Sequence, residues 1–267
     1  MKLSHALAES VTQFVKRVTS FTLLLKRYFP NLLWYLCEMK RAIFYLIFLL
    51  IPAVNNARIV KSGANNGAKI LSKDVYTVVG LAETGLDRTV FDLAIKGLKK
   101  LDSKGKLLNP TIVTIADYSQ SSNKKRLYVI DLKNKKLLFN TYVAHGRNTG
   151  AEFARYFSND EGSYKSSLGF YITEHPITGS PTGFSLMING VEKGFNDHAC
   201  RRAIIVHGAN YVSEDFIRKN GRLGRSQGCP ALPPELNKPI IETIKDGTCL
   251  FIYNPDNNYI HSSSLLN

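Results

Sequence analysis

The chain is organised around RAIIVHGANYVSEDFIRKNGRLGRSQGCPAL, Arg202 to Leu232. Its apolar run, Ala203 to Val206, has the character of a buried strand and delivers His207 and Gly208 at its end, where a side chain leaves the core and meets solvent. Ser213 and Glu214 then start a short helix. Gly221, Gly224 and Gly228 punctuate a loop that ends in Ser226-Gln227-Gly228-Cys229-Pro230 and presents one thiol. A cysteine becomes a nucleophile when a base or cation favours its thiolate, and a histidine elsewhere in the chain is the usual partner. Gly228, with no side chain before Cys229, allows a sharp turn in which the N–H groups of Gly228 and Cys229 point at a developing oxyanion. Two plainer readings stand beside this one: Cys229 as a small buried residue and His207 as a hydrogen-bonded structural histidine.

Working outward, the chain from Thr111 has strand-like periodicity. TIVTIADYS, RLYVIDL and KLLFNTYVAHG come first, with Lys133-Asn134 turning the second into the third. Then follow SSLGFYITEH (166–175), GFSLMING (183–190), RAIIVHG (202–208) and TCLFIYN (248–254), with one helix, Pro234 to Lys245, before the last. Many short strands and few helices predict a mainly β fold with minor α, a β-sandwich or related mixed sheet. Upstream, Asp74 to Ala82 and Asp87 to Leu101 are expected helices. In the second, Phe91, Ala94, Ile95, Leu98 and Leu101 fall at helical spacing behind Asp87 as N-cap. The expected organisation is a leader over 1–57, a linker over 58–73, a helical cap over 74–105, the catalytic domain over 110–254 and a loose tail over 255–267.

Residues 39–57, MKRAIFYLIFLLIPAVNNA, have the form of a secretory signal: Lys40-Arg41, ten apolar residues to Ile51, then Pro52 and small residues up to Ala57. The apolar run is shorter than the ~20 residues that span a bilayer comfortably. Residues 1–38 extend the charged region upstream, or Met39 is the true start. The expected location is the periplasm or cell envelope, with a membrane tether if the signal is uncleaved and a transient inner-membrane contact through the N-terminus. A monomer is expected.

The formal charge is +14, and beyond residue 57 the chain still carries 28 Lys/Arg against 19 Asp/Glu. Nucleic acid, anionic membrane and anionic cell-wall polymer would each suit such a surface. The scattered lysines and the lack of a helix-turn-helix, zinc-finger or RNA-binding aromatic motif argue against nucleic acid. No cofactor is expected. His145, His175, His198 and His207 match no zinc spacing, so no metal is expected either. Beyond Cys37 in the leader, the cysteines are Cys200, Cys229 and Cys249. An odd number in an exported protein flags one free thiol; Cys200 with Cys249 is the expected pair, both next to predicted strands, with Cys229 left free.

HG followed about twenty residues later by S-x-G-C resembles the signature of the YkuD-like L,D-transpeptidases that remodel peptidoglycan. VAHGRNTG (143–150), FSN (157–159), GSYKSSLGFY (162–171), GFNDHACRRAIIVHGANY (194–211) and GRSQGCPA (224–231) extend the likeness to the murein L,D-transpeptidase catalytic domain family, over Ile112 to Tyr253. The resemblance implies an L,D-transpeptidase-like fold and an exported cysteine acyltransferase acting on peptidoglycan stem peptides, with Cys229 as nucleophile and His207 as base. It also implies that the Gly208 carbonyl orients the imidazole, that Gly228 shapes the oxyanion site, and that Ser226, Arg225, Gln227, His145 and Asn196 line or support the substrate cleft. The commoner pattern is S-H-G-C with an arginine or asparagine just downstream. Here Gln227 replaces the second histidine and Pro230-Ala231 follow, so Arg222 or Arg225 would have to serve from upstream. An L,D-carboxypeptidase or endopeptidase on the same Cys-His pair, and a catalytically silent peptidoglycan-binding module, are the alternatives.

Overall fold

The protein is described by a computed structural model over residues 71–179 and 181–267; the leader over 1–57 and most of the linker lie outside the described residues. In chain order the elements are α1 (Leu71–Val78), α2 (Arg88–Ser103), β1 (Ile112–Asp117), β2 (Leu127–Asp131), β3 (Lys136–Thr141), β4 (Gly169–Gly179), β5 (Gly183–Gly190) and β6 (Ile205–Gly208). They continue with α3 (Glu214–Asn220), β7 (Ala231–Leu232), α4 (Pro234–Ile244), β8 (Cys249–Tyr253) and α5 (Asn257–Ser262). The strands form one mixed sheet in the order β3-β2-β1-β8-β4-β5-β6-β7. Of the two arrangements the strand pattern allowed, the mixed sheet is the one formed.

At its centre β1 and β8 run parallel, Ile115 opposite Phe251, and every residue of both strands is buried. That explains their nearly unbroken apolar runs, because a strand covered on both faces has no solvent side to alternate with. Successive side chains leave a strand on opposite faces. Phe251 turns to one face, where its ring stacks on Phe170 of β4 at 4.1 Å. Helix α2 covers that face: Gly97 abuts the Phe170 ring so closely that a Cβ would overlap it. Thr114 and Leu250 turn to the other face and meet Ile240 and Ile244 of α4.

Helix α2 begins as its sequence predicts, with Asp87 Oδ1 accepting from the Thr89 amide at 2.6 Å, and it buries Phe91, Ala94, Ile95, Leu98 and Leu101. Helix α1 begins at Leu71, inside the expected linker, and ends at Val78 rather than Ala82, and Tyr76 packs its ring against Phe91 at 5.5 Å.

The C-terminal residues depart from expectation. They fold into α5 and dock: Tyr259, Leu265 and Leu266 are buried. The anchor is Glu192, a buried carboxylate that accepts from the Phe170 amide (2.7 Å), the Tyr259 hydroxyl (2.9 Å) and the Ser263 hydroxyl. Burial raises its pKa while these three donors oppose the rise. The expected Cys200–Cys249 disulfide is not formed, since Cys249 is a free thiol wholly inside the core at β8.

The sheet's far end positions the site. In β7, Ala231 pairs in parallel with His207 and Leu232 with Gly208. Across its other edge, the Ala144 and Ala231 amides each donate to the other's carbonyl, at 2.9 and 3.2 Å. Ala144 lies just beyond β3, so the two ends of the sheet are joined at this point.

Replacing Gly97 by alanine is expected to destabilise the fold by about 1–3 kcal/mol, as overpacking of a filled core does. Urea unfolding measures it; an unchanged midpoint would show that α2 does not pack as described.

Candidate active site

Three loops meet backbone to backbone beneath Cys229. Gly146 passes so close to Gly228 that a Cβ on Gly146 would lie 2.9 Å from the Gly228 Cα and 2.6 Å from the Tyr164 carbonyl oxygen. Gly228 itself has φ +126°, a conformation that disfavours any side chain. The Ser166 hydroxyl donates to the Gly228 carbonyl and accepts from the Gly146 amide, each at 3.0 Å.

Ser226 is the staple of the thiol loop. Its hydroxyl donates to the Cys229 carbonyl at 2.6 Å and accepts from the Gly228 amide at 3.0 Å. Its backbone joins the neighbouring loop, the Ser226 amide donating to the His145 carbonyl and the Arg147 amide to the Ser226 carbonyl. Buried Ser226 thus stabilises the loop through its hydroxyl, and one expectation changes: the Gly228 N–H, already engaged with it, is not turned toward an oxyanion.

Cys229 is half-buried, with its thiol 3.9 Å from the Ala203 carbonyl as weak acceptor. Burial pushes the thiol up from its ordinary value, while the Ile205 and Cys229 N–H groups and the Arg202 guanidinium favour the thiolate. The β6–β7 pairing brings the His207 main chain to this segment, its amide donating to the carbonyl of Pro230, the residue after Cys229. The His207 Nδ1 lies 3.0 Å from the Gly208 carbonyl oxygen. That contact needs a hydrogen on Nδ1 and leaves Nε2 as the lone-pair nitrogen. Burial lowers the His207 pKa, so the imidazole is neutral at neutral pH. The resting pair is thiol and neutral base.

Gly208 does serve through its carbonyl, and a side chain there would press on Asn237 at 3.0 Å. Gln227, next to Cys229 on the loop, is exposed.

Other sequence candidates lie under the site. His145 is wholly buried, its Nδ1 accepting from Arg126 Nη2 at 2.8 Å and its Nε2 lying 3.4 Å from the Gly150 carbonyl oxygen. Burial and the Arg126 charge hold its pKa down at about 3. It is a neutral strut, not a cleft residue. Asn196 is likewise buried, donating to the Leu168 and Phe170 carbonyls and accepting from the Glu192 amide. Arg225 braces the neighbouring loop through the carbonyls of Arg147 (3.1 Å) and Gly150 (3.0 Å). Arg202, which the sequence reading did not single out, instead brings its guanidinium against the Gly228 turn and favours the Cys229 thiolate. Its one sequence signal is its position at the head of the run that leads to His207.

A family model described as the L,D-transpeptidase catalytic domain matches residues 82–253. Solved structures similar to this chain include an L,D-transpeptidase from Mycobacterium smegmatis (12% identity, 54% of this chain and 59% of that one, TM-score 0.34). Another is L,D-transpeptidase 3 from Mycobacterium tuberculosis (13% identity, 54% and 60%, TM-score 0.34). A third comes from Stackebrandtia nassauensis (16% identity, 62% and 66%, TM-score 0.33). The chain thus spans 59% of the length of the first. Among curated proteins no match is found.

Removing the Ser226 hydroxyl strands a buried N–H and a buried carbonyl together. Ser226→Ala is expected to cost about 1–3 kcal/mol, the penalty for unpaired buried groups, and to slow labelling of Cys229 by a neutral thiol reagent. Thermal melting and labelling rate check both; native values in each would remove the staple role.

Proposed function

This chain belongs to the L,D-transpeptidase catalytic domain family, and from that premise we propose that it is an exported cysteine acyltransferase acting on peptidoglycan stem peptides. The observation that carries the reading is the β6–β7 pairing, which aligns His207 with Ala231, two residues beyond Cys229, and leaves a histidine whose Nδ1 is tied to the Gly208 carbonyl.

In the proposed reaction His207 Nε2 takes the Cys229 proton, and the thiolate attacks the carbonyl that joins the third residue of a donor stem to its terminal D-amino acid. The C–N bond breaks, the His207 proton passes to the departing amine, and a thioester remains on Cys229. An amine of a second stem gives up a proton to His207 and attacks the thioester, forming the cross-link and releasing the thiol. A general base placed in this way typically contributes 10²–10⁴-fold. The Cys229 amide flanks the same sulfur, which suits it to donate to the oxyanion. Gln227, exposed next to Cys229 on the loop, is part of the proposed substrate-binding surface. Export is the part of the proposal that rests on residues 39–57 alone, and it places the enzyme where stem peptides are found.

Purified protein incubated with tetrapeptide muropeptides is expected to give a thioester on Cys229 and a cross-linked dimer. Tripeptide alone would make water the acceptor and the enzyme a carboxypeptidase. Binding to insoluble peptidoglycan with neither adduct nor product would leave a silent module. Cys229→Ser is expected to abolish the adduct, and His207→Ala to slow its formation by about 10²–10⁴-fold.

The pH profile follows from the resting pair. Activity needs neutral His207 and is lost as pH falls through a pKa held below 6.5. It also needs the thiol proton to be available, and that limb lies above 9.0 because burial raises Cys229. The acylation rate should therefore show a broad plateau across neutrality, and an acid limb centred above 6.5 would contradict the buried neutral imidazole.

A further inference from the structure

Arg202 is half-buried and its guanidinium is held from several sides. Nη1 donates to the Ser158 carbonyl (2.8 Å) and the Ser167 hydroxyl; Nη2 donates to the Lys165 carbonyl (2.6 Å) and the Ser163 hydroxyl (3.3 Å). Every one of these acceptors is uncharged. Among the described residues no carboxylate forms an ion pair with it: Glu161 pairs with Arg201 instead. The same Nη2 lies only 3.3 Å from where a Cβ on Gly228 would sit, so the guanidinium abuts the turn that presents Cys229. A guanidinium keeps its proton at any pH the enzyme meets, and here it is partly desolvated with Asp160 and Glu161 acting on it only at longer range than an ion pair.

We propose that Arg202 is the positioning residue that supplies the counter-charge for the Cys229 thiolate, its fork fixed by Ser158, Ser163, Lys165 and Ser167 so that it waits beside the nucleophile. The inference rests on Cys229 being the nucleophile proposed above. It also accounts for the chemistry without the second histidine of the commoner S-H-G-C pattern, whose place Gln227 takes. When His207 removes the thiol proton, the negative charge forms next to a cation already in position, with little reorganisation. Arg202 and Cys229 do interact electrostatically in the direction this requires. Asp160, Glu161 and Tyr171 also act on Arg202; the titratable side chains acting on the thiol besides Arg202 are Tyr118 and Tyr211, and His207 is the group proposed to receive its proton. Both phenols are raised by burial and stay neutral. Arg147, Arg222 and Arg225 belong to the flanking loops, where Arg225 is bonded to carbonyl oxygens and Arg147 lies over the Tyr164 ring at 3.9 Å.

The test is alkylation of Cys229 by iodoacetamide as a function of pH, followed by peptide mapping so that Cys200 and Cys249 are scored separately. Arg202→Gln is expected to move the midpoint up by about one pH unit and to slow alkylation at a fixed pH below it about tenfold, the thiolate fraction lost with one unit. Arg202→Lys, which keeps the charge and loses the fork, should stay near the native midpoint. Arg225→Gln, an equal loss of charge on the adjacent loop, should move it less. If Arg202→Gln fails to fold, the native protein and Arg202→Lys are compared with anionic iodoacetate and neutral iodoacetamide. A cation at the sulfur favours the anionic reagent, and added salt erodes the preference. A native midpoint in folded Arg202→Gln, or no preference for iodoacetate in the native protein, overturns the proposal and leaves the acyltransferase reading standing. A Cys229 that resists alkylation at every pH in native folded protein overturns both.

Discussion

Two residues of β7 hold this molecule's chemistry together. Ala231 is bonded on one side to Ala144 and aligned on the other with His207. Through the first contact the sheet's two ends are joined; through the second, the loop carrying Cys229 is registered against the strand carrying His207. Strand register is specified to the residue, since a slip by one sends every side chain to the opposite face. The segments carrying Cys229 and His207 thus owe their register to main-chain bonds. The three-loop floor at Gly146, Gly228 and Ser166 likewise packs backbone against backbone, with the Ser166 hydroxyl bridging the Gly146 amide and the Gly228 carbonyl.

Much of the fold was legible because its signals are local. The apolar periodicity and Asp87 cap of α2, the alternation in GFSLMING and the Ser213 start of α3 each emerge where the sequence places them. The parts that were not legible are those set by distant partners. A two-residue strand carries no period, so β7 had none to show. The tail NNYIHS is too short and too polar to announce a docked helix, and only Glu192, far away in sequence, makes Tyr259 and Ser263 core residues.

The site divides along the same line. Cys229, His207 and Gly208 could be singled out in the sequence because a thiol, an imidazole and a small neighbour in that order suit acyl transfer. Ser226, His145 and Asn196 belong to types that serve a substrate or a buried strut equally well, and only burial tells which. Here all three are struts with their polar atoms spent on the protein. Arg202 shows the converse: a residue of ordinary surface type, unpaired with any described carboxylate, gains its meaning from the uncharged oxygens that fix it.

The joining of Ala144 to Ala231 also bears on when the surroundings of the Cys229 thiol are assembled. These residues are far apart in the chain, and contacts between distant segments form only after the entropy of closing the loop between them has been met. The pairing of β6 with β7 likewise spans α3 and the whole glycine loop. Until both are made, Cys229 lies on an untethered stretch with neither imidazole nor guanidinium beside it, and it reacts as an ordinary cysteine. The surroundings of Cys229 are thus a late product of folding, complete only once both of these long-range pairings are made.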